Sequence, residues 1–463
     1  MSLFNLLNIN SQSLNSFQKG IDLVNKNINN VNNKDYSKER AVFIELANYG
    51  VSLAEAYRIF DQRYFDRYIH ENQKYSFYNE VASSLGTIES IFNDVQGSGF
   101  AEEFNKYYLA INDIINEPDN IPARNAFIER AKVLISKFQN SYESLENEKD
   151  NLHLAMQSEA DTINNLTQNL ALINKKIAGQ PKNLIPEQEK LNSLLNERDK
   201  LIKELSKHID VKVRYNPNQT ADIFSAKGHA LVLHDNSYKL SIDTTNSKDL
   251  GYDLKTFSAK ISINGQELTG DFAKGRLSAK LQVEKRIDDT ITKLNKLLHT
   301  FATENNNVNK NGYDLVGNQG KDIFASSDTT QQINLANIIV AIQNPEEIAA
   351  AKDAGDLPND NSNIKDLYAL KDKPITELDN KTFYNYYIKM VSDIANEKNR
   401  NEGLAQDTEQ LVNALDDKLQ EIGGVNLDEE LVNLTQLQRS YQAAARVISV
   451  TDKLLETVMN IIR

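Results

Sequence analysis

Residues 427–463 read "LDEELVNLTQLQRSYQAAARVISVTDKLLETVMNIIR" and contain neither Pro nor Gly. Leu427, Leu434, Tyr441, Ile448, Leu455 and Ile462 recur every seventh residue. A companion row holds Leu437, Ala444, Thr451 and Val458. That spacing is the seam of a coiled-coil helix. The small residues of "QAAAR" allow a second helix to approach closely. Chain ends fray unless something ties them down, so this helix needs a partner.

The partner is predicted at the other end of the chain. Positions 3, 7, 10, 14, 17, 21, 24, 28 and 31 are Leu3, Leu7, Asn10, Leu14, Phe17, Ile21, Val24, Ile28 and Val31. The steps alternate four and three, and only Asn10 is polar; it either fixes register or reflects an Asn bias. Asn occupies ten of the first 33 positions. Its amide competes for backbone hydrogen bonds, so the helix is weak alone. A single stripe of this kind is equally an ordinary amphipathic helix on a core. Two stripes, one at each extreme, favour an antiparallel or interlocked coiled coil of the ends, with everything else inserted between them.

The inserted part is mainly helical. From about Leu53 to His208 the pattern reads as helix, with a hairpin of "SLENEKDNLHLAMQSEADTINNLTQNLALINKKI" and "EQEKLNSLLNERDKLIKELSKHI" broken at "AGQPKNLIP" (178–186). The period changes to two at "IDVKVRY" (209–215) and "HALVLHDNSYKLSID" (229–243), the latter around an Asp-Asn-Ser turn. "AKISINGQEL" carries Asn264-Gly265, a hairpin signal. Helix returns over 276–306, followed by a turn-rich loop and shorter, mostly helical pieces across 328–420. The expected fold is mainly α, with nested, discontinuous domains. Residues 1–50 and 421–463 form a terminal coiled-coil unit, 51–208 and 273–420 a long helical bundle, and 209–272 a small β-rich outer domain.

Fifty-two basic residues against 65 acidic ones give a net charge of −13. That balance argues against nucleic-acid binding, which needs a basic footprint, and against an anionic membrane surface. No apolar run approaches the ~20 residues that span a bilayer. The first charge is Lys19, so no basic leader region precedes an apolar one and no cleavable secretory signal is expected. A protein of this sequence that leaves the cell uses another route. With no Cys there is no disulfide and no thiol nucleophile.

Nothing in the sequence marks a catalytic or cofactor site. His70-Glu71 begins a zinc-protease motif, but Lys74 stands where its second His belongs. His229 and His234 are five apart on a β segment and face opposite sides. His153 and His208 have no partner by spacing. "GYDLVGNQGKD" departs from a phosphate loop, with Gly317 three before Gly320 and Asp322 after Lys321. "DLPNDNSNIKD" resembles a calcium loop in composition only. The helical carboxylates sit among Lys at spacings of three and four, as solvated faces do. No metal, cofactor or catalytic residue is expected.

"GVNLDEELVNLTQLQRSYQAAARVISVTDKLLETVMNIIR" (424–463) closely resembles the C-terminal segment of the family of flagellar hook-associated protein 1, which forms the hook–filament junction. "NKNINNVNNKDYSKER" (25–40) is similar to the Asn-rich segment shared by flagellar axial proteins, and "GRLSAKLQVEKRIDD" with "NGYDLVGNQGKDIF" to the family's internal helix and Gly-rich turn. One departure is Asn33-Lys34-Asp35-Tyr36-Ser37, where the family shows Thr-Pro-Gly-Tyr-Ser; Asp accepts positive φ only at a cost, so this turn is the place to look. The β region is also short for the family.

The resemblance implies a structural subunit of the flagellum, outside the cell, exported through the flagellar type III route and assembled at the distal hook end. Its partners would be further copies of itself in a ring or helix, hook protein, the second hook–filament junction protein and a cytoplasmic export chaperone. The paired terminal helices would line the inner tube and order on assembly. Expected assembly residues are Leu7, Leu14, Phe17, Ile21, Val24 and Ile28 with Leu434, Leu437, Tyr441, Ile448, Leu455 and Ile462. Leu434, Tyr441, Ile448 and Leu455 are also expected under the chaperone. The alternatives are another axial protein, either hook protein or the second junction protein, and a filament-displayed adhesin or binding protein.

Overall fold

A computed structural model describes residues 2–46, 50–92, 99–181 and 185–461. The chain opens with helix α1 (Leu3–Asn29) and a hairpin of β1 (Glu39–Leu46) and β2 (Gly50–Arg58). Then follow α2 (Gln62–Ile91), α3 (Phe100–Asn116), α4 (Ile121–Ala178) and α5 (Ile185–His208). Two small antiparallel sheets come next. One has the order β3 (Val211–Tyr215), β4 (Ala221–Ser225), β5 (Ala230–Leu233), β6 (Asn236–Ser237). The other runs β7 (Leu240–Asp249), β8 (Lys255–Ile263), β9 (Gln266–Glu267). Helix α6 (Gly275–Lys310), the short pair β10 (Phe324–Ser326) and β11 (Ile338–Val340), α7 (Ser362–Ala369), α8 (Phe383–Gly423) and α9 (Leu427–Ile461) complete it.

The bundle packs α2 along α8 and α6, α3 on α4, and α4 on α5 and α6. Its centre is aromatic: Phe100, Phe104, Tyr107, Phe127, Phe301 and Phe383 are all buried, and Phe100 stacks on Tyr387 with ring centroids 4.0 Å apart. Such stacking adds to the large apolar area each ring removes from water. The α4–α5 hairpin has its own small core of Ile173, Ile177, Leu191, Leu194 and Leu195.

Three local readings change. Residues 53–58 are strand, not helix: "SLAEAYR" has good helix formers, but β2 pairs with β1 from Glu39↔Arg58 to Leu46↔Gly50. Tertiary pairing overrides propensity here. Residues 383–423 form one helix of 41 residues rather than shorter pieces. The β5–β6 turn lies at His234-Asp235, with His234 at φ 56°, one residue earlier than the Asp-Asn-Ser reading. Asn264 and Gly265, at φ 50° and 80°, make the two-residue turn that this dipeptide signals.

Helix asparagines close the open ends of the strands. Asn164 of α4 accepts from Leu240 N at 2.8 Å and donates to Leu240 O at 2.8 Å. Asn174 does the same for Ala221, at 3.0 and 2.7 Å, and also donates to His234 O. Asn306 of α6 brackets Phe324 at 2.9 and 2.7 Å. A side-chain amide offers one donor face and one acceptor, as a peptide group does. It therefore stands in for a missing strand and satisfies backbone groups that burial would otherwise orphan. The Asn content that weakens these helices in isolation serves their packing.

Candidate functional site

The two ends of the chain meet. Asn27 on α1 bonds Glu430 on α9, and Gly20, seven residues earlier, lies under Leu437, seven residues later. The helices therefore run antiparallel in a fixed heptad register. A Cβ at Gly20 would fall 2.8 Å from Phe43 Cζ and 3.3 Å from Leu437 Cδ1. The glycine lets the β1–β2 hairpin and α9 approach one helix from two sides. Phe17 and Phe43 hold the hairpin at a centroid distance of 6.0 Å, and Ser13 Oγ accepts from Val51 N at 3.0 Å.

At the base of this assembly lies a buried polar hub centred on Asn27. Its Nδ2 donates to Glu39 O at 2.9 Å and to Glu430 Oε2 at 3.1 Å. Its Oδ1 accepts from Tyr36 Oη at 2.7 Å and from Glu39 N at 3.0 Å. The amide is thus fully used, both donors and both acceptor sites. Lys26 pairs with Glu39 Oε1, and Asn192 of α5 donates to Glu39 Oε2 at 3.1 Å and to Ala56 O at 2.9 Å. Burial raises the Tyr36 phenol well above its usual range, and the carboxylates of Glu39, Glu430 and Glu189 push the same way. Burial also raises the Glu430 carboxyl, against the hydrogen bond from Asn27.

The segments that carry the resemblance supply this hub. "INNVNNKDYS" brings Asn27's neighbours and Tyr36; "GVNLDEE" brings Glu430. The turn between them does without glycine: Asp35 is not among the positive-φ residues, and Asn33 Oδ1 accepts from Asp35 N at 3.1 Å. The start of α9 is capped by Asn426 Oδ1, which accepts from Asp428 N and Glu429 N. Gly423 is required by closeness, since a Cβ there would sit 2.8 Å from Ile59 O. Its carbonyl accepts from Lys38 N at 2.7 Å.

An ionic clamp ties the second strand of the hairpin to the helices of the bundle. Arg58 of β2 reaches Asp199 at 2.6 Å and Asn196 at 2.9 Å on α5. Lys203 pairs with Asp416 at 2.6 Å, joining α5 to α8. Arg58 and Asp199 are nearly buried, so this pair is screened little by salt.

Of the residues read from the seams, Val24 is buried, while Leu7, Leu14, Phe17, Ile21 and Ile28 are half-buried. On α9, Leu434, Leu437, Tyr441, Ile448 and Leu455 are half-buried, and Ala444 and Thr451 buried. Ile462 lies outside the described residues. The fully buried line on α1 is Ser13, Ser16, Gly20, Leu23 and Asn27, one residue before the apolar line. Small side chains sit at closest approach and the apolar ones flank them. Val458, read as part of the seam's companion row, is exposed, and a second apolar stripe on α9, Val447, Val450 and Leu454, is 39–58 % exposed.

Elsewhere, two histidines without partners by spacing have partners in space. His153 Nε2 lies 2.7 Å from Glu284, and His208 Nδ1 2.8 Å from Glu159. Asp360, in "DLPNDNSNIKD", accepts from Lys352 N, Asp353 N and Ser362 N. Partial burial opposes its ionisation, yet those hydrogen bonds and one from the Ser362 hydroxyl bring the carboxyl down to about 2. Among the described residues no group of three or more His, Asp or Glu is arranged to hold a metal, and no helix is long and apolar enough to cross a membrane.

The profile of a family described as flagellar hook-associated protein FlgK helical domain matches residues 85–324. A second, described as flagellar basal body rod FlgEFG protein C-terminal, matches residues 419–461. Flagellar hook-associated protein 1 of Bacillus subtilis is 26% identical, with 97% of this chain and 96% of that one covered. The protein of the same name from Escherichia coli K12 is 22% identical over 98% and 99%. The Salmonella typhimurium protein of that name, 23% identical, aligns over 564 positions against the 463 residues here, so it holds segments without counterpart in this chain. Among solved structures, the flagellar hook junction protein FlgK from Burkholderia pseudomallei shares the fold, with a TM-score of 0.65 and 14% identity over 77% of this chain and all of that one.

Proposed function

This chain belongs to the flagellar hook-associated protein FlgK family, and we propose that it is the structural subunit that links hook to filament and enters the flagellum through its joined termini. The observation that carries this reading is the pair of apolar faces on α9. One packs on α1; the other, Val447, Val450 and Leu454, is exposed. A helix with two such faces suits packing within the chain and against the next copy at once. A dozen seam side chains, at roughly 1.5–3 kcal/mol each when buried, offset the cost of ordering the helices.

In this reading the inner unit comprises 1–50 and 421–463 and forms the wall of the inner tube. The bundle, 51–208 and 273–420, lies around it, and the β-rich part, 209–272, faces outward. Hook protein and the second hook–filament junction protein are the axial neighbours. The chain travels extended through the type III channel, which the absence of disulfides permits, and needs no cleavable signal. Before export, a cytoplasmic chaperone covers Leu434, Tyr441, Ile448 and Leu455, which are half-buried when α1 is in place and bare when it is not. The role is structural, with no reaction catalysed.

Electron microscopy of cells lacking this protein tests the assignment. Hooks without filaments, with flagellin shed into the medium, are the expected result. Normal filaments on the same cells overturn it.

A further inference from the structure

We propose that Asn27 is the positioning residue of the terminal unit: its amide sets the register and the starting angle of α9, and the rest of the α1–α9 pair closes outward from it. The proposal rests on the assembly reading for its consequence in the flagellum, but not for its test.

Three observations carry it. First, Asn27 is 1 % exposed, and its one amide joins three chain segments: α1 itself, the start of β1 at Glu39, and the start of α9 at Glu430. Second, the hub holds the one buried side chain in the first two turns of α9, and the far end of the helix is uncovered. Glu430 is buried, Ala444 and Thr451 are the next buried positions, and after Leu455 the described side chains are exposed. Third, the apolar contacts do not specify one register by themselves. Both seams repeat every seventh residue, so a slip of one heptad would again bring apolar rows together, as repeating seams allow, and would lose only the fit of Leu437 over Gly20. The hub forbids that slip. A displaced α9 would set another residue against Asn27 and leave a buried donor without its carboxylate. A single buried asparagine that fixes register is an established use of polar groups in coiled coils. Here it also brackets a strand.

The polarity of the hub makes the test specific. Asp at position 27 has the shape of Asn but no donor. It would face Glu39 O and the Glu430 carboxylate with oxygen against oxygen. Gln at position 430 supplies either a donor or an acceptor, so it pairs with Asn27 or with an aspartate there. The native chain has no cysteine, so spin labels attach uniquely to Asn25→Cys and Val432→Cys, two exposed positions beside the hub. Pulsed electron-spin measurements on the full chain then read the α1–α9 distance.

A single narrow distance is expected in the otherwise native protein and in Glu430→Gln. Asn27→Asp should broaden or shift it, and the double variant Asn27→Asp with Glu430→Gln should restore a narrow distribution. Circular dichroism of each variant checks that the bundle is folded. A narrow, unshifted distance in Asn27→Asp overturns the proposal, because an isosteric change would then be harmless and the apolar seam alone would hold register. A broad distance in the native background overturns it too. A broad distance in the double variant assigns Asn27 a role in the β1 turn only. None of these outcomes depends on whether the protein joins hook to filament, which the microscopy decides separately.

Discussion

Lys149 is among the largest side chains with almost no exposure, and its ammonium is paired with Asp288 and donates to Thr256 Oγ1 at 3.0 Å. Asp288 in turn receives Lys248 at 2.8 Å. Burial raises the neighbouring Glu146 carboxyl, and Lys149 pulls it back. Lys149→Met takes away the buried partner of Asp288 and leaves it Lys248 alone, so a cost of about 3 kcal/mol in urea unfolding is expected, the low end for breaking a buried pair. Adding Asp288→Leu should recover much of that loss, since Lys248 is half in solvent and tolerates release; full additivity would contradict the coupling. None of this was legible in the sequence. Lys149 sits in a charged stretch that reads as a solvated face, and His153 four residues on has no sequence partner. Both are buried because α6, more than a hundred residues later, brings Asp288 and Glu284 to them.

At the scale of elements, periodicity was the reliable guide. The α9 seam, the α4–α5 hairpin and the Asn264-Gly265 turn follow from spacing and turn chemistry. The β1–β2 hairpin was missed because its second strand is spelled in helix formers. The expectation of shorter pieces across 328–420 does not hold for α8, which is one helix: Gly403 within it has open space around it and simply sits on the helix surface. The asparagine caps were half visible: the residue type stood out, its purpose did not. Asn164→Ala leaves both backbone groups of the buried Leu240 without their partner. About 2 kcal/mol of stability should be lost, with faster amide exchange at Leu240 by mass spectrometry. Unchanged exchange would mean that water replaces the cap at no cost.

Across the whole molecule the order is nested, as the two terminal stripes implied, but the meeting point of the ends lay beyond sequence reasoning. Asn27 and Glu430 are 403 residues apart, and no spacing rule connects them. Since α9 packs chiefly on α1, truncation after Gln436 should leave the bundle's Tm within about 2 °C, because few core contacts go with it. If the proposed export chaperone covers α9, the same truncation should abolish its capture; full retention would place its site elsewhere. The hub has one more consequence, in the order of events along the polypeptide. A chain emerging from a ribosome presents Asn27 long before Glu430. Until the last segment arrives, the amide lacks its carboxylate and α1 lacks its cover. Closure at residue 27 therefore reports that the chain has reached the start of α9, and a chain cut anywhere before that point is left open at its own beginning.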